Sequence, residues 1–273
     1  MEESDWSSDV CSSDLPFKWP LVRRWLRDDE REPVLSEGEP LFDARDIYRP
    51  MQETTSPVVY TISVCPLRAA VRGAELNCRS TAFVAPNDRV VYMSPEHIYV
   101  WTAEERWDTR RNRPDLCETQ VADATPRQEA TLYQISLRGA VRALRVRGMP
   151  SNQFSMAAVD REFRALLQDV CDETRLTYFH TPLGALDGDR PSFASSRRYV
   201  ETPRLESDNN YEVRFTENYV VYGESTEWGD APPDSAETIL YGHIVAVPTR
   251  DPARATTIDV PHGVIRMERL GDD

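Results

Sequence analysis

Five cysteines and four histidines are the side chains of this 273-residue sequence best suited to chemistry. The cysteines stand at positions 11, 65, 78, 117 and 171, with no C-x-x-C spacing and no histidine clustered with them. A zinc centre, which needs such closely spaced donors, is therefore not spelled out. His97, His180 and His243 fall inside strand-like runs, where a histidine is ordinarily a packed or surface residue. His262 lies in the turn Pro261-His262-Gly263 and is the histidine best placed to act at a surface. No G-x-S-x-G elbow, H-E-x-x-H helix or phosphate-cradling glycine loop occurs. Asp187-Gly188-Asp189 hints at calcium but lacks the terminal glutamate spacing, so it reads as a turn. No cofactor is implied by any of these residues. What remains is cross-linking chemistry, plus polar and aromatic residues suited to contact.

The elements that carry these residues are short strands. Tyr133, Ile135 and Leu137 alternate with Gln134, Ser136 and Arg138, and Val141 to Val146 returns after Gly139-Ala140 with a phase slip near Ala143-Leu144 that predicts a bulge. Arg89 to Met93 and His97 to Trp101 read as a hairpin, as do Gln153 to Met156 with Arg161 to Gln168, and Glu212 to Thr216 with Tyr219 to Tyr222. Aligning the first strands puts Tyr92, Phe154 and Phe215 in register at near-equal spacing. Two more strands follow each hairpin, with Tyr133, Tyr178 and Tyr241 in the third and Leu144, Tyr199-Val200 and Ile258 in the fourth. A four-strand unit repeated three times is the pattern of propeller blades, whose usual repeat is about 40–50 residues. The extra length sits in the polar stretches Ala103 to Ala130, Pro182 to Ser196 and Glu224 to Glu237, read as loop insertions. The alternative is an all-β sandwich with accidental spacing.

The fold class expected is thus all-β: an incomplete β-propeller of four-stranded antiparallel blades. Residues 57–85 form a partial blade, 88–151, 152–207 and 211–262 three blades, and 264–273 the start of another, cut short at Gly271-Asp272-Asp273. Before them, 16–56 is an irregular lead-in in which Leu21, Val22, Trp25 and Leu26 could form one face of a short helix. Residues 1–15 stand apart. S-S-D-V-C-S-S-D-L, Ser7 to Leu15, looks like a translated sequencing adapter and is set aside, and with it Cys11 and any inference about a signal peptide. Both ends are expected to be artificial. The chain's net charge of −14 argues against nucleic acid as the main partner. Nothing approaches the roughly 20 apolar residues that span a bilayer.

With the strands placed, the four remaining cysteines pair. Cys65 and Cys78 lie on adjacent strands of the partial blade, while Cys117 and Cys171 lie in loops between second and third strands of neighbouring blades. Disulfides Cys65–Cys78 and Cys117–Cys171 are expected in an oxidising compartment; four free thiols are the reading for a reducing one. Trp107 and Trp228 sit in charged insertions on that loop face, either as binding anchors or folded back over their own loops. Asn152, Gln153, Asn209 and Asn210 belong to turns assigned to the same face, where turn chemistry is their ordinary role.

V-Y-M-S-P-E-H-I-Y-V-W (Val91 to Trp101), N-Q-F-S-M (Asn152 to Met156), V-R-F-x-x-N-Y-V-V-Y-G (Val213 to Gly223) and D-V-P-H-G (Asp259 to Gly263) together resemble the secreted bacterial β-propeller-domain proteins, distant relatives of the WD-type repeats. The resemblance runs from about Asp46 to Asp273 and implies an extracytoplasmic propeller with no assigned reaction. The function expected is a non-catalytic binding or scaffold module for an unknown protein or small molecule, using the face that carries 103–130 and 224–237. The alternatives are a propeller hydrolase or lyase with a polar site at the central axis, and a purely structural domain of a larger envelope protein. Three or more acids, histidines or arginines converging at the axis would favour the enzyme, and apolar or merely scattered polar residues there the binding module.

Overall fold

In the computed structural model, the described residues are 21–22, 25–26, 34–35, 39–40, 42, 47–66, 68, 78–105, 109, 115–118, 124–138, 140–187, 191–204, 211–224, 242–261, 264 and 266–268. Trp107, Asn209, Asn210, Trp228, Tyr241 and His262 lie outside them. Backbone contacts divide the chain into two units, Met1–Tyr48 with Thr61–Ala82, and Arg49–Tyr60 with Phe83–Asp273. No helix among the described residues is long and apolar enough to cross a membrane.

The first unit contains two small antiparallel pairings. Leu21–Val22 pairs with Glu39–Pro40, and Trp25–Leu26 with Val34–Leu35. This corrects the helix expected over Leu21 to Leu26. Leu21, Val22, Trp25 and Leu26 bond across to a later stretch of chain instead of four residues along, so helical spacing of the apolar residues has no backbone to support it. A disulfide joins Cys65 to Cys78.

In the second unit, three antiparallel sheets follow one another in chain order. Sheet I consists of β1 (Asp88–Met93), β2 (His97–Ala103), β3 (Glu129–Ser136) and β4 (Val141–Arg147), each hydrogen-bonded to the next. Sheet II has a divided first strand, β5 (Met149–Pro150) and β6 (Met156–Val159), then β7 (Glu162–Asp169), β8 (Asp172–Pro182) and β9 (Tyr199–Glu201). Sheet III comprises β10 (Tyr211–Phe215), β11 (Tyr219–Glu224), β12 (Gly242–Pro248) and β13 (Thr256–Val260). The quartets expected from the sequence are present, and the fold is an all-β assembly of blade-like sheets.

Side-chain alternation explains how the sheets stack. On β7, Phe163, Ala165 and Leu167 turn one way and Leu166 the other, and all four are fully buried. The first three join Tyr99, Trp101, Leu132 and Phe179 in a cluster shared with sheet I. Leu166 joins Leu176 and Tyr178 in a second cluster with Tyr211, Val213, Val220, Tyr222, Val245 and Val247 of sheet III. Sheet II is therefore covered on both faces, which is why β7 reads as a nearly continuous apolar run. Aromatic rings dominate both seams. Tyr99 lies 4.8 Å from Phe163, and Trp101 meets Phe179 edge-on at 5.7 Å. On the far side of sheet I, Phe83 packs 4.4 Å from Tyr133. Burial pushes the Tyr133 and Tyr178 hydroxyls up to about 12, so both stay neutral across the physiological range.

The insertion between β8 and β9 has a structural task. Ala143 on β4 exchanges backbone hydrogen bonds with Asp187 (2.7 and 2.9 Å), Arg145 donates to the Ser192 carbonyl (3.0 Å), and Ala194 donates to that of Arg145 (2.8 Å). The Arg145 guanidinium lies 3.9 Å over the Phe193 ring. A strand edge that would otherwise offer unpaired groups to another chain is thereby covered from the neighbouring sheet. The β3–β4 register runs unbroken through Ala143 and Leu144. The bulge expected there is absent because both side chains are buried within the covered strand; the register shift falls at Gln168/Asp169 instead.

The sheet II hairpin also differs from expectation. Its turn is the two-residue step Asp160-Arg161, flanked by Val159 and Glu162, not a loop over Ala157 to Asp160. Both turn residues adopt positive φ, 51° and 63°. That backbone suits the twist of a two-residue hairpin but favours Asn and Gly. Replacing Arg161 with glycine is accordingly expected to raise the unfolding free energy by up to about 1 kcal/mol, measured by urea denaturation; a loss of stability would contradict the turn assignment.

A second disulfide, Cys117–Cys171, joins the β2–β3 loop to the β7–β8 turn. It spans 54 residues against 13 for Cys65–Cys78. Closing the longer loop removes more freedom from the unfolded chain. The Cys117→Ser/Cys171→Ser protein should therefore lose roughly 2–4 kcal/mol, more than Cys65→Ser/Cys78→Ser, in parallel thermal melts. Equal or reversed losses would contradict that ranking.

Candidate functional site

β1, β6 and β10 are the first strands of their sheets, and each pairs with a single neighbour among the described strands. Their ends converge on a cavity of about 610 Å³. Val91, Tyr92 and Met93 enter it from β1, and Met156, Ala157 and Val159 from β6. Phe215 comes from β10, followed by Thr216 and Glu217 of the next turn.

Two of the three hairpins end in the same way. In Ser94 to His97, the Ser94 N–H donates to the His97 carbonyl (2.9 Å), and the His97 N–H donates to Ser94 Oγ (3.1 Å). In Thr216 to Tyr219, the Thr216 N–H donates to the Tyr219 carbonyl (2.8 Å), and the Tyr219 N–H to Thr216 Oγ1 (3.0 Å). A hydroxyl residue at the first position thus fixes each turn and the strand end beside it. Sheet II reaches the same level by its two-residue turn.

Phe154 is where the sequence alignment and the structure part. It does not lie on a strand in register with Tyr92 and Phe215. Residues 151–155 leave sheet II between β5 and β6 as a short excursion whose last three form a 3-10 turn. Asn152 Oδ1 accepts the Phe154 N–H (2.8 Å), and the Ser151 and Ser155 hydroxyls bond at 2.8 Å. This cap pulls the chain out of the ladder, which periodicity alone does not register. Gln153 and Phe154 consequently project into the cavity. Phe154 is 47% exposed, with the Arg214 guanidinium 4.1 Å over its ring. Arg214 also donates to its own strand at the Val213 carbonyl (2.6 Å) and approaches Glu212 (3.5 Å). The three aromatics therefore meet at one cavity without occupying equivalent positions.

Tyr92 bridges two sheets: its hydroxyl accepts the Ala158 N–H at 3.4 Å. Met93 is 65% exposed and Val91 39%. Of the described cavity-lining side chains only Glu217 is charged. Among the described lining residues there is no nucleophile–base pair and no set of converging carboxylates, so the arrangement suits apolar contact. Among the described residues no three His, Cys, Asp or Glu side chains gather as a metal site. Met93 and Val91 are not among the residues expected at a site. The signal for them was Val90-Val91-Tyr92-Met93, a run apolar on both faces in a strand that pairs on one side only.

A second cavity, of about 650 Å³, opens at the other end of β2 and is lined by Glu53, Thr55, Glu104, Thr109, Leu116, Gln128, Glu129 and Arg145, among others. This is the end from which the 103–130 insertion leaves. Burial pushes the Glu104 carboxyl up, but hydrogen bonds from Thr54, Ser56 and Thr55 outweigh it and hold the group below its ordinary value. Glu104 is thereby committed to tying residues 54–56 to the strand end. Arg145 is likewise engaged by Glu129 and Phe193. Of the residues expected on that face, Gln153 lines the first cavity and Asn152 caps the turn that carries it. Trp107, Asn209, Asn210, Trp228 and His262 are outside the described residues.

A protein-family model described as a beta propeller domain matches residues 22–212. No curated protein and no solved structure matches the chain.

Proposed function

The chain belongs to the beta propeller domain family, and from that premise we infer that it is an extracytoplasmic binding module, not a catalyst, whose ligand enters the groove between the first strands. One observation carries this reading: the first-strand ends and the excursion before β6 present Val91, Met93, Phe215 and Phe154 beside one carboxylate among the described residues, Glu217. Hydrolysis or elimination calls for several positioned acids and bases, whereas exposed apolar side chains gathered at one place mark a contact surface. The location outside the cytoplasm is supported by the two disulfides, which persist where the surroundings are oxidising.

The test uses the dye 8-anilinonaphthalene-1-sulfonate on the folded protein. Saturable fluorescence enhancement is expected, and it should be lost in Met93→Glu and Phe154→Ser. Both positions are exposed, so unfolding free energies should stay within about 0.5 kcal/mol of the parent. Absence of enhancement, or enhancement indifferent to both substitutions, would remove the groove from the account.

A further inference from the structure

Resting on the binding-module reading, we propose that the occupant of this groove is an extended apolar peptide that adds alongside an inner strand edge and carries basic residues where it leaves past the hairpin turns. The first ground is the backbone. An antiparallel ladder alternates residues that bond to the neighbour with residues whose N–H and C=O point away from it. The Ser94–His97 bond sets that phase for β1, so Val91 and Met93 turn their main-chain groups away from β2, to the unpaired side. The Thr216–Tyr219 bond sets it for β10, where Phe215 faces the same way but Val213 is fully buried and offers no free edge. On β6 the corresponding residue is Ala158, and its outward N–H is already taken by the Tyr92 hydroxyl. The β1 edge at Val91 and Met93 is thus the exposed one among the described strands, while the β6 edge is closed by a tyrosine.

The second ground is the side chains between those edges. Met93 and Phe154 are among the most exposed large apolar residues described, and both stand at this cavity. An extended peptide meets both features together: main-chain bonds along an edge supply affinity, and alternate side chains enter the apolar space. A compact apolar molecule would use the second feature only. The third ground is charge. The turns closing the three inner hairpins carry exposed Glu96, Asp160 and Glu217 against one base, Arg161. A peptide leaving the groove past these turns is favoured if it is cationic there and opposed if it is anionic.

The probe is a blocked, fluorescein-labelled peptide, Val-Leu-Val-Leu-Val-Lys-Lys, titrated with the full chain and read by fluorescence anisotropy. Methylating alternate backbone nitrogens, in either register, leaves the side chains in place but removes donors. The weaker-binding register should lose about tenfold or more in affinity. Replacing Lys-Lys with Glu-Glu should weaken binding by a similar factor, and Glu217→Gln should narrow that difference. Unaltered binding of both methylated peptides would overturn the strand-addition proposal, and indifference to the charge swap would overturn its cationic end. If the dye binds and is lost in Met93→Glu while no peptide binds, this proposal fails and the binding-module reading stands. If neither probe binds, both fail.

Discussion

Asp169→Ala is expected to lose about 3–5 kcal/mol of folding free energy, the usual consequence of leaving buried cations without their counter-charge. Asp169 is 1% exposed and ends β7 at the point where its register shifts. One carboxylate oxygen accepts from Arg127 Nη1 and from the Cys171 N–H, both at 2.9 Å; the other accepts the Arg127 N–H at 3.2 Å, with Arg175 at 3.9 Å. Arg127 precedes β3 in sheet I, while Asp169, Cys171 and Arg175 belong to sheet II. A single carboxylate therefore fastens two sheets beside the Cys117–Cys171 bond. Asp169→Asn keeps the shape and part of the hydrogen bonding, and should fall between parent and alanine variant. Chemical denaturation of the three proteins measures this. A loss below about 1 kcal/mol, the range of exposed ion pairs, would mean that the carboxylate is solvated and the sheets are not joined there.

Trp101→Ala should be comparably severe, at about 3–5 kcal/mol. The indole is fully buried between Phe163 and Phe179, and its N–H donates to the Gly148 carbonyl at 2.9 Å. Gly148 is the link from sheet I to sheet II. Its φ is +82°, and a Cβ there would meet Pro126 Cγ at 2.7 Å. Trp101 thus fills the seam and fixes the chain's exit from β4. Trp101→Phe separates the roles. It retains much of the ring volume while leaving the Gly148 carbonyl without its donor, and should cost less than the alanine change by at least about 1 kcal/mol. Equal losses would assign the whole effect to the hydrogen bond.

Much of this architecture was legible in the sequence because blades announce themselves locally. Each strand is short, its partner is usually the next one, and a serine, threonine or glycine marks many of the reversals. The cysteines could be paired for the same reason: once strand order is known, Cys117 and Cys171 fall at the same end of adjacent sheets. Three things were not legible. Leu21 to Leu26 has helical spacing, yet its partners are at Val34–Leu35 and Glu39–Pro40, and pairing across a loop leaves no periodic trace. The Asn152 cap lifts Phe154 out of its ladder through a bond two residues long, invisible to an alternation test. The groove itself is built from side chains far apart in the chain. Met93 looked like the end of an ordinary strand, and only the convergence of three first strands makes its exposure meaningful.

The central claim is that these first strands meet around one groove. Two proton–proton proximities in a nuclear Overhauser spectrum test it most directly: the Ala158 amide with the Tyr92 ring, and the Arg214 guanidinium with the Phe154 ring. Each connects neighbouring sheets through residues remote in sequence. Both cross-peaks are expected in the folded protein, with the second absent in Phe154→Ser. Cross-strand amide contacts within each sheet without either of these cross-peaks would leave three sound sheets and no shared groove, contradicting the account at its base.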